Sequence, residues 1–294
     1  MGAEIAQRLA AAGRPLAALV RPTSDANKRG RLKAAGITLA HGDLKERSTL
    51  DACCQGIGTV ISTASSTFSR QPGDSITAVD HDGQLSLIEA AKEAGVRHFI
   101  FVSFPPVAED FALQRAKRAV EQKLKESGLA YTVLQPTFFT EIWLSPAVGF
   151  DFSNAQARIY GSGLKKISWI SYFDVAAFAV ASLENPAARN AVIKLGGPEA
   201  LSPVEVVKIF EEAGRRRFAV EHVPEEALRA QKTCATDALE EAFAALMLYY
   251  ARGEVIDIRE ANRVFPSLVG KQASVSEYAK RVLGVSTQGE SARA

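Results

Sequence analysis

Residues 76–103 read ITAVDHDGQLSLIEAAKEAGVRHFIFVS, and this run decides the fold. Ile76 to Ala94 reads as one long helix, closed by Gly95. Val96 to Ser103 follows at once as a short apolar strand. A helix that delivers directly into an apolar strand is the unit of a parallel sheet with helices on both faces.

The same unit repeats on either side. Downstream, Phe111 to Ser127 is a helix closed by Gly128, and Leu129 to Leu134 is a strand stopped by Pro136. Upstream, Thr59 to Thr63 is β-branched and strand-like. Asp43-Leu44-Lys45-Glu46 has capping-box spacing and predicts a helix running to about Gln55. Ile37 to Ala40 is a strand, preceded by a helix capped by Ser24 or Asp25 and ending at Gly36. Leu16 to Val20 is another strand. Residues 3–13 form a helix with Ile5, Leu9 and Ala12 on one face and Gly13 as its stop. The expected fold is α/β, a doubly wound parallel sheet of the Rossmann type.

Beyond Pro136 the rhythm loosens. Residues 140–168 are irregular, Asp174 to Leu183 is a helix, and Ala191 to Leu195 a strand. Ser202-Pro203-Val204-Glu205 opens a helix to about Gly214 with a cap, an N1 proline and a capping-box glutamate. Phe218 to Val223 is a strand, and helices fill 225–251. The division expected is 1–139 for nucleotide binding and 140–285 for a smaller substrate-binding part, some of it packing back on the sheet. A disordered tail is expected at 286–294.

A domain of this type opens with a strand and a glycine-rich turn before its first helix. Here the sequence begins at the helix, and Gly2 stands where the last glycine of the turn falls. The expectation is a sheet lacking its first strand, through a misassigned start codon or truncation. Its neighbours would then lie about 9–10 Å apart.

Composition excludes several classes. A formal charge of +2 over 294 residues gives no general nucleic-acid footprint. No apolar run approaches the roughly 18 residues that suggest a membrane span. The three cysteines, Cys53, Cys54 and Cys234, have no metal-ligand spacing, so no metal is expected. Free thiols fit a reducing compartment, and a cytoplasmic location is expected.

Strand tips mark the candidate site, because open α/β sheets bind ligands at the carboxyl ends of their strands. Arg21 follows the strand ending at Val20, nineteen positions after Gly2. An acid there would accept the ribose 2′-hydroxyl of NAD, whereas an arginine suits the 2′-phosphate of NADP(H). Asp43 and Leu44 follow the next strand, beside the expected adenine, with Asp43 also read as a helix cap. Thr63, Ala64 and Ser65 end the next strand and should line the site. His41, His81, His98 and His222 read as structural. No Ser/His/Asp order suggests a triad. Gly161-Ser162-Gly163 lacks the lysine and helix of a phosphate loop.

Three runs carry a family resemblance: residues 76–104, then Ser127-Gly128-Leu129-Ala130-Tyr131-Thr132-Val133-Leu134-Gln135-Pro136, then Trp169-Ile170-Ser171-Tyr172-Phe173-Asp174-Val175-Ala176. Together they resemble the NmrA-like, isoflavone-reductase-like branch of the atypical short-chain dehydrogenases over about residues 2–225. The resemblance implies an NADP(H)-binding fold. It places Ser103, Pro136, Thr137 and Phe138 near the cofactor. The wider superfamily carries Tyr-x-x-x-Lys, and here Lys117 matches the lysine while Leu113 stands for the tyrosine. Leucine cannot transfer a proton. The branch that also lacks the tyrosine relies on the lysine, so the resemblance gives Lys117 a catalytic and cofactor-binding role. On a helical wheel Lys117 lies at the edge of an apolar arc, with Arg118, Glu121 and Lys125 pointing further out.

Two functions follow as expectations. One is an NADP(H)-dependent reductase of a small carbonyl, quinone or enone, bound in a cleft lined by residues 137–170. The other is an inactive redox sensor that binds NADP(H) and signals to a protein partner. A truncated product that binds nothing is the third outcome.

Overall fold

The computed structural model describes residues 1–67 and 71–285, and the expected tail from 286 lies outside them. The first half runs α1 (Gly2–Ala11), β1 (Ala17–Val20), α2 (Ala26–Ala34), β2 (Thr38–His41), α3 (Arg47–Cys54) and β3 (Thr59–Ser62). A π-helical segment (Ile76–Gly83) then leads into α4 (Gln84–Glu93), followed by β4 (His98–Val102), α5 (Ala112–Glu126) and β5 (Ala130–Pro136). The second half contains α6 (Thr140–Trp143), β6 (Phe150–Asp151), β7 (Gln156–Tyr160), β8 (Ile167–Ser168), α7 (Tyr172–Ala181) and β9 (Ala191–Leu195). After these come β10 (Ala200–Leu201), α8 (Pro203–Gly214), β11 (Ala219–Val223), α9 (Glu225–Thr233), α10 (Ala238–Arg252), α11 (Arg259–Val264) and α12 (Val275–Val282).

The central sheet has the order β3-β4-β5-β9 and is parallel throughout. Ile61 pairs with Ile100, and Val102 with Leu134. Every residue of β4 is buried, as a strand covered on both faces requires. Its side chains alternate between two cores. Ile100 and Val102 join Leu134, Ile5 of α1 and Val175 of α7 on one face. Phe99 and Phe101 join Val133, Ile88 of α4 and Val120 of α5 on the other.

β1 and β2 form a separate parallel pair, with Val20 opposite His41. Among the described residues no ladder joins them to β3. Helix α1 spans the break. Its Ile5 and Leu9 pack into the core of the central sheet. Its Ala6 packs with Val20, Leu32 and Ile37 of the smaller unit. Burial of Ile5 and Leu9 stabilises this docking by about 1.5–3 kcal/mol each.

In the second half, β11-β7-β6 and β8-β10 are small sheets around a core containing Trp169, Phe210, Tyr250 and Tyr278. Ser202 and Glu205 form the expected reciprocal capping box at the start of α8.

Two local expectations are corrected. The helix expected over 76–94 is π-helical in its first eight residues, which carry a fully buried aspartate, Asp80. Asp43 is not a helix cap. Helix α3 starts at Arg47, and Asp43 Oδ1 accepts from the Lys45 N–H at 3.0 Å while Thr49 Oγ1 accepts from the Asp43 N–H at 3.1 Å. The aspartate closes its own turn, an alternative that short polar side chains offer in competition with capping.

Candidate active site

The strand tips carry two charged centres. At the first, the turn after β1 is shaped by Ser24, whose Oγ accepts the Arg21 N–H at 3.1 Å. Arg21 Nη1 donates to Asp74 Oδ2 at 2.6 Å. Lys45, on the loop after β2, donates from Nζ to Asp74 Oδ1 at 2.7 Å and stands 3.7 Å from Asp43 Oδ2. The Asp74 side chain is only 2 % exposed, so two cations from two different strand tips enclose one carboxylate. The hydrogen bond to Asp74 holds the Lys45 ammonium above the ordinary lysine range.

Between the centres, the start of α1 meets the end of β3. A Cβ on Gly2 would lie 3.1 Å from Thr63 Oγ1, a closeness that favours glycine there. The Ala64 carbonyl accepts from Gln84 Nε2 at 3.2 Å, and Ser62 Oγ donates to Gln84 Oε1 at 2.8 Å. Ser65 Oγ lies 3.2 Å from Thr67 Oγ1. Leu44 follows Asp43 on the loop after β2. It is buried in the core with Leu50 and Val79, and a Cβ on Gly83 would come within 2.8 Å of its own Cβ. Its side chain serves the packing between this loop and the π-helical segment.

The second centre is a buried ion pair. Lys117 Nζ of α5 stands 3.2 Å from Asp80 Oδ1, with side-chain exposures of 6 % and 0 %. The other carboxylate oxygen, Oδ2, accepts the Ser66 N–H at 2.8 Å and the Ser66 hydroxyl at 2.6 Å. The ammonium also lies 5.0 Å from the centre of the Phe101 ring, within cation–π range. Lys117 therefore does not snorkel to water. Leu113, one turn earlier, is packed with Ile76, Phe111 and Ala242.

A neutral-to-charged network continues along α5. Arg118 Nη2 donates to Ser103 Oγ at 2.8 Å and to the Phe104 carbonyl at 2.6 Å, and meets Glu121 Oε1 at 2.8 Å. Glu121 Oε1 also accepts from Gln135 Nε2 at 2.9 Å. The expectation that Glu121 points outward is corrected, since it is buried on the sheet side of α5. Desolvation pushes the Arg118 guanidinium below the ordinary arginine range.

Pro136 ends β5 opposite Leu195 of β9. Thr137 donates its hydroxyl to the Ser168 carbonyl and its N–H to the Leu195 carbonyl at 3.0 Å. Phe138 is 3 % exposed and packs against Trp143, Trp169, Tyr249 and Tyr250. It supports the wall of the second half rather than forming its surface.

Sequence reasoning missed Asp80, Ser66, Lys45 and Asp74. One signal was available: Asp80 and Gln84 lie on the same helical stripe as Ile76, Leu87 and Ile88, where an apolar residue is the norm. Asp74 had none, because its partners come from two distant turns.

A model of the NmrA-like family matches residues 1–279. The chain is 32 % identical to an NAD(P)H azoreductase of Xenophilus azovorans over 95 % of its length and 93 % of that protein. It is 30 % identical to a photosystem II assembly factor of Trieres chinensis over 76 % of its length and 69 % of that protein. Its fold matches that of an NADPH-dependent quinone oxidoreductase from Escherichia coli in complex with NADPH, with a TM-score of 0.72, 19 % identity and 95 % of each chain covered.

Proposed function

This chain belongs to the NmrA-like family, and we propose that it is an NADP(H)-dependent reductase of small molecules. Lys117, buried against Asp80, is the observation that carries the reading. A burial of this kind costs several kcal/mol per ion before pairing offsets it, and places a hydrogen-bond donor where a proton-transferring group is otherwise missing. The residues fit the cofactor. Arg21 and Lys45 already hold an anion, the Asp74 carboxylate, between them, so they would hold the 2′-phosphate. The start of α1 at Gly2 would face the pyrophosphate, and Lys117 the nicotinamide ribose.

When bound, the nicotinamide cofactor would supply hydride chemistry. The protein does the rest. Lys117 would offer Nζ as the hydrogen-bond donor, and Asp80, 3.2 Å away, fixes where that ammonium sits. Leu113 leaves the position one turn before it apolar, so proton delivery to the substrate falls to Lys117. Candidate substrates are small carbonyls, quinones and enones, and the azoreductase relative adds azo compounds. The three cysteines are free thiols and support a cytoplasmic location. No helix among the described residues is long and apolar enough to cross a membrane.

The test is NADPH binding by fluorescence, followed by its oxidation with a panel of quinones, aldehydes, enones and azo dyes. Turnover that Lys117→Ala abolishes while NADPH still binds is the expected result. Leu113 and the assembly-factor relative favour a second reading, a nucleotide-binding sensor with a protein partner. Tight NADPH binding with no turnover on any substrate would select it.

A further inference from the structure

Resting on the cofactor reading above, the geometry points to Asp74 as the residue that sets the choice between NADPH and NADH. Its carboxylate sits between Arg21 and Lys45, in the place a 2′-phosphate would take, and competes with that phosphate for both cations.

The charges make the argument. Arg21 Nη1 and Lys45 Nζ approach the two different oxygens of Asp74 at 2.6 and 2.7 Å. Asp43 adds a second carboxylate 3.7 Å from the same ammonium. These four side chains sum to zero. A 2′-phosphate, carrying close to two negative charges, therefore meets cations already paired with carboxylates rather than the bare arginine that the sequence suggests. To bind, it must take over charge-assisted bonds that Asp74 already makes, and such bonds are about twice as strong as neutral ones. NADH carries a 2′-hydroxyl and makes no such demand. Asp74 thus lowers the affinity for NADPH without a matching loss for NADH.

Lys45 acts in the opposite direction. It comes from the loop after β2, whereas Arg21 follows β1, so the two cations reach the anion from separate turns. Its position is fixed by a hydrogen bond to the Pro72 carbonyl at 3.2 Å as well as by Asp74. An ammonium there is a second anchor for the phosphate once Asp74 is neutralised, and a point charge of this kind suits phosphate.

The experiment measures Kd for NADPH, NADH and 2′,5′-ADP on the full chain by fluorescence and calorimetry, with no turnover involved. Asp74→Asn keeps the shape and removes the charge. It is expected to tighten NADPH and 2′,5′-ADP by roughly tenfold or more, with NADH changing by less than about threefold on the same grounds. Lys45→Met is expected to weaken NADPH and 2′,5′-ADP, again with NADH little changed. If wild type binds NADPH and Asp74→Asn leaves the NADPH/NADH ratio unchanged or lowers it, the proposal is overturned while the cofactor reading stands. If Asp74→Asn does not fold, an unchanged ratio in Lys45→Met overturns it equally. If no variant binds either nucleotide, both the proposal and the cofactor reading fall.

Discussion

Removing the Asp80 carboxylate should leave the Lys117 ammonium buried without its counter-charge. At 3.2 Å the pair attracts by about 5 kcal/mol for an effective dielectric near 20. Part of that is regained by relaxation and water entry, so Asp80→Ala is expected to cost about 3–5 kcal/mol. The loss is large against a typical total of about 5–15 kcal/mol, and corresponds to a drop in Tm on the order of 10 °C. Lys117→Ala should cost less, because Asp80 keeps two donors from Ser66. The double variant should be markedly more stable than the sum of the singles predicts, with a coupling of about 2–3 kcal/mol. Urea unfolding of the four proteins, followed by circular dichroism, gives these values. Additivity of the two singles to within about 0.5 kcal/mol would refute the coupling, and with it the claim that Asp80 holds Lys117 in place.

Burial raises the Asp174 carboxyl to about 6. The folded protein binds this proton more tightly than the unfolded chain, so the group penalises folding above pH 6 and ceases to do so below about pH 4. Asp174→Asn should raise stability at pH 8 by about 1–3 kcal/mol and flatten this limb of a stability–pH profile. His98 has the opposite sign: burial lowers its pKa, so its contribution is lost as the pH falls below about 6.5, and imidazole NMR shifts should show it resisting protonation. Tyr249 has a buried hydroxyl with no partner among the described residues, so Tyr249→Phe should be neutral or stabilising by up to about 1 kcal/mol in thermal unfolding. At Gly197 a Cβ would lie 1.6 Å from the Trp169 carbonyl oxygen, so Gly197→Ala should fail to give folded protein in an expression and circular-dichroism test.

Elements whose signals are local were legible in the sequence. The strand from Ala191 to Leu195 and the capping box at Ser202 and Glu205 lie where the pattern places them, because each depends on residues within a turn or two. The continuous apolar run from Val96 marked β4 as a strand covered on both faces, and Phe99 and Phe101 alternate with Ile100 and Val102 between two cores. The failures share a different cause. Asp43 met the local spacing of a cap, but Thr49, six residues away, was an equally good partner for its backbone. The π-helical turn over 76–83 has no local sequence signature, and its buried Asp80 finds its partners, Ser66 and Lys117, far away in the sequence.

Lys117 shows why the site was half legible. A wheel of α5 puts it at the border of the apolar arc, where burial and snorkelling are equally good solutions. The deciding group lies thirty-seven residues earlier, on another helix, and faces Lys117 only because that helix and α5 pack on the same face of the sheet beside Phe101. A well-packed apolar pair in the same space would be as stable or more so. Stability therefore does not explain two facing charges at a strand tip, one of them further pinned by Ser66. What the pair provides is a cation fixed in position and shielded from water, and a reacting group needs that kind of preorganisation more than a core does.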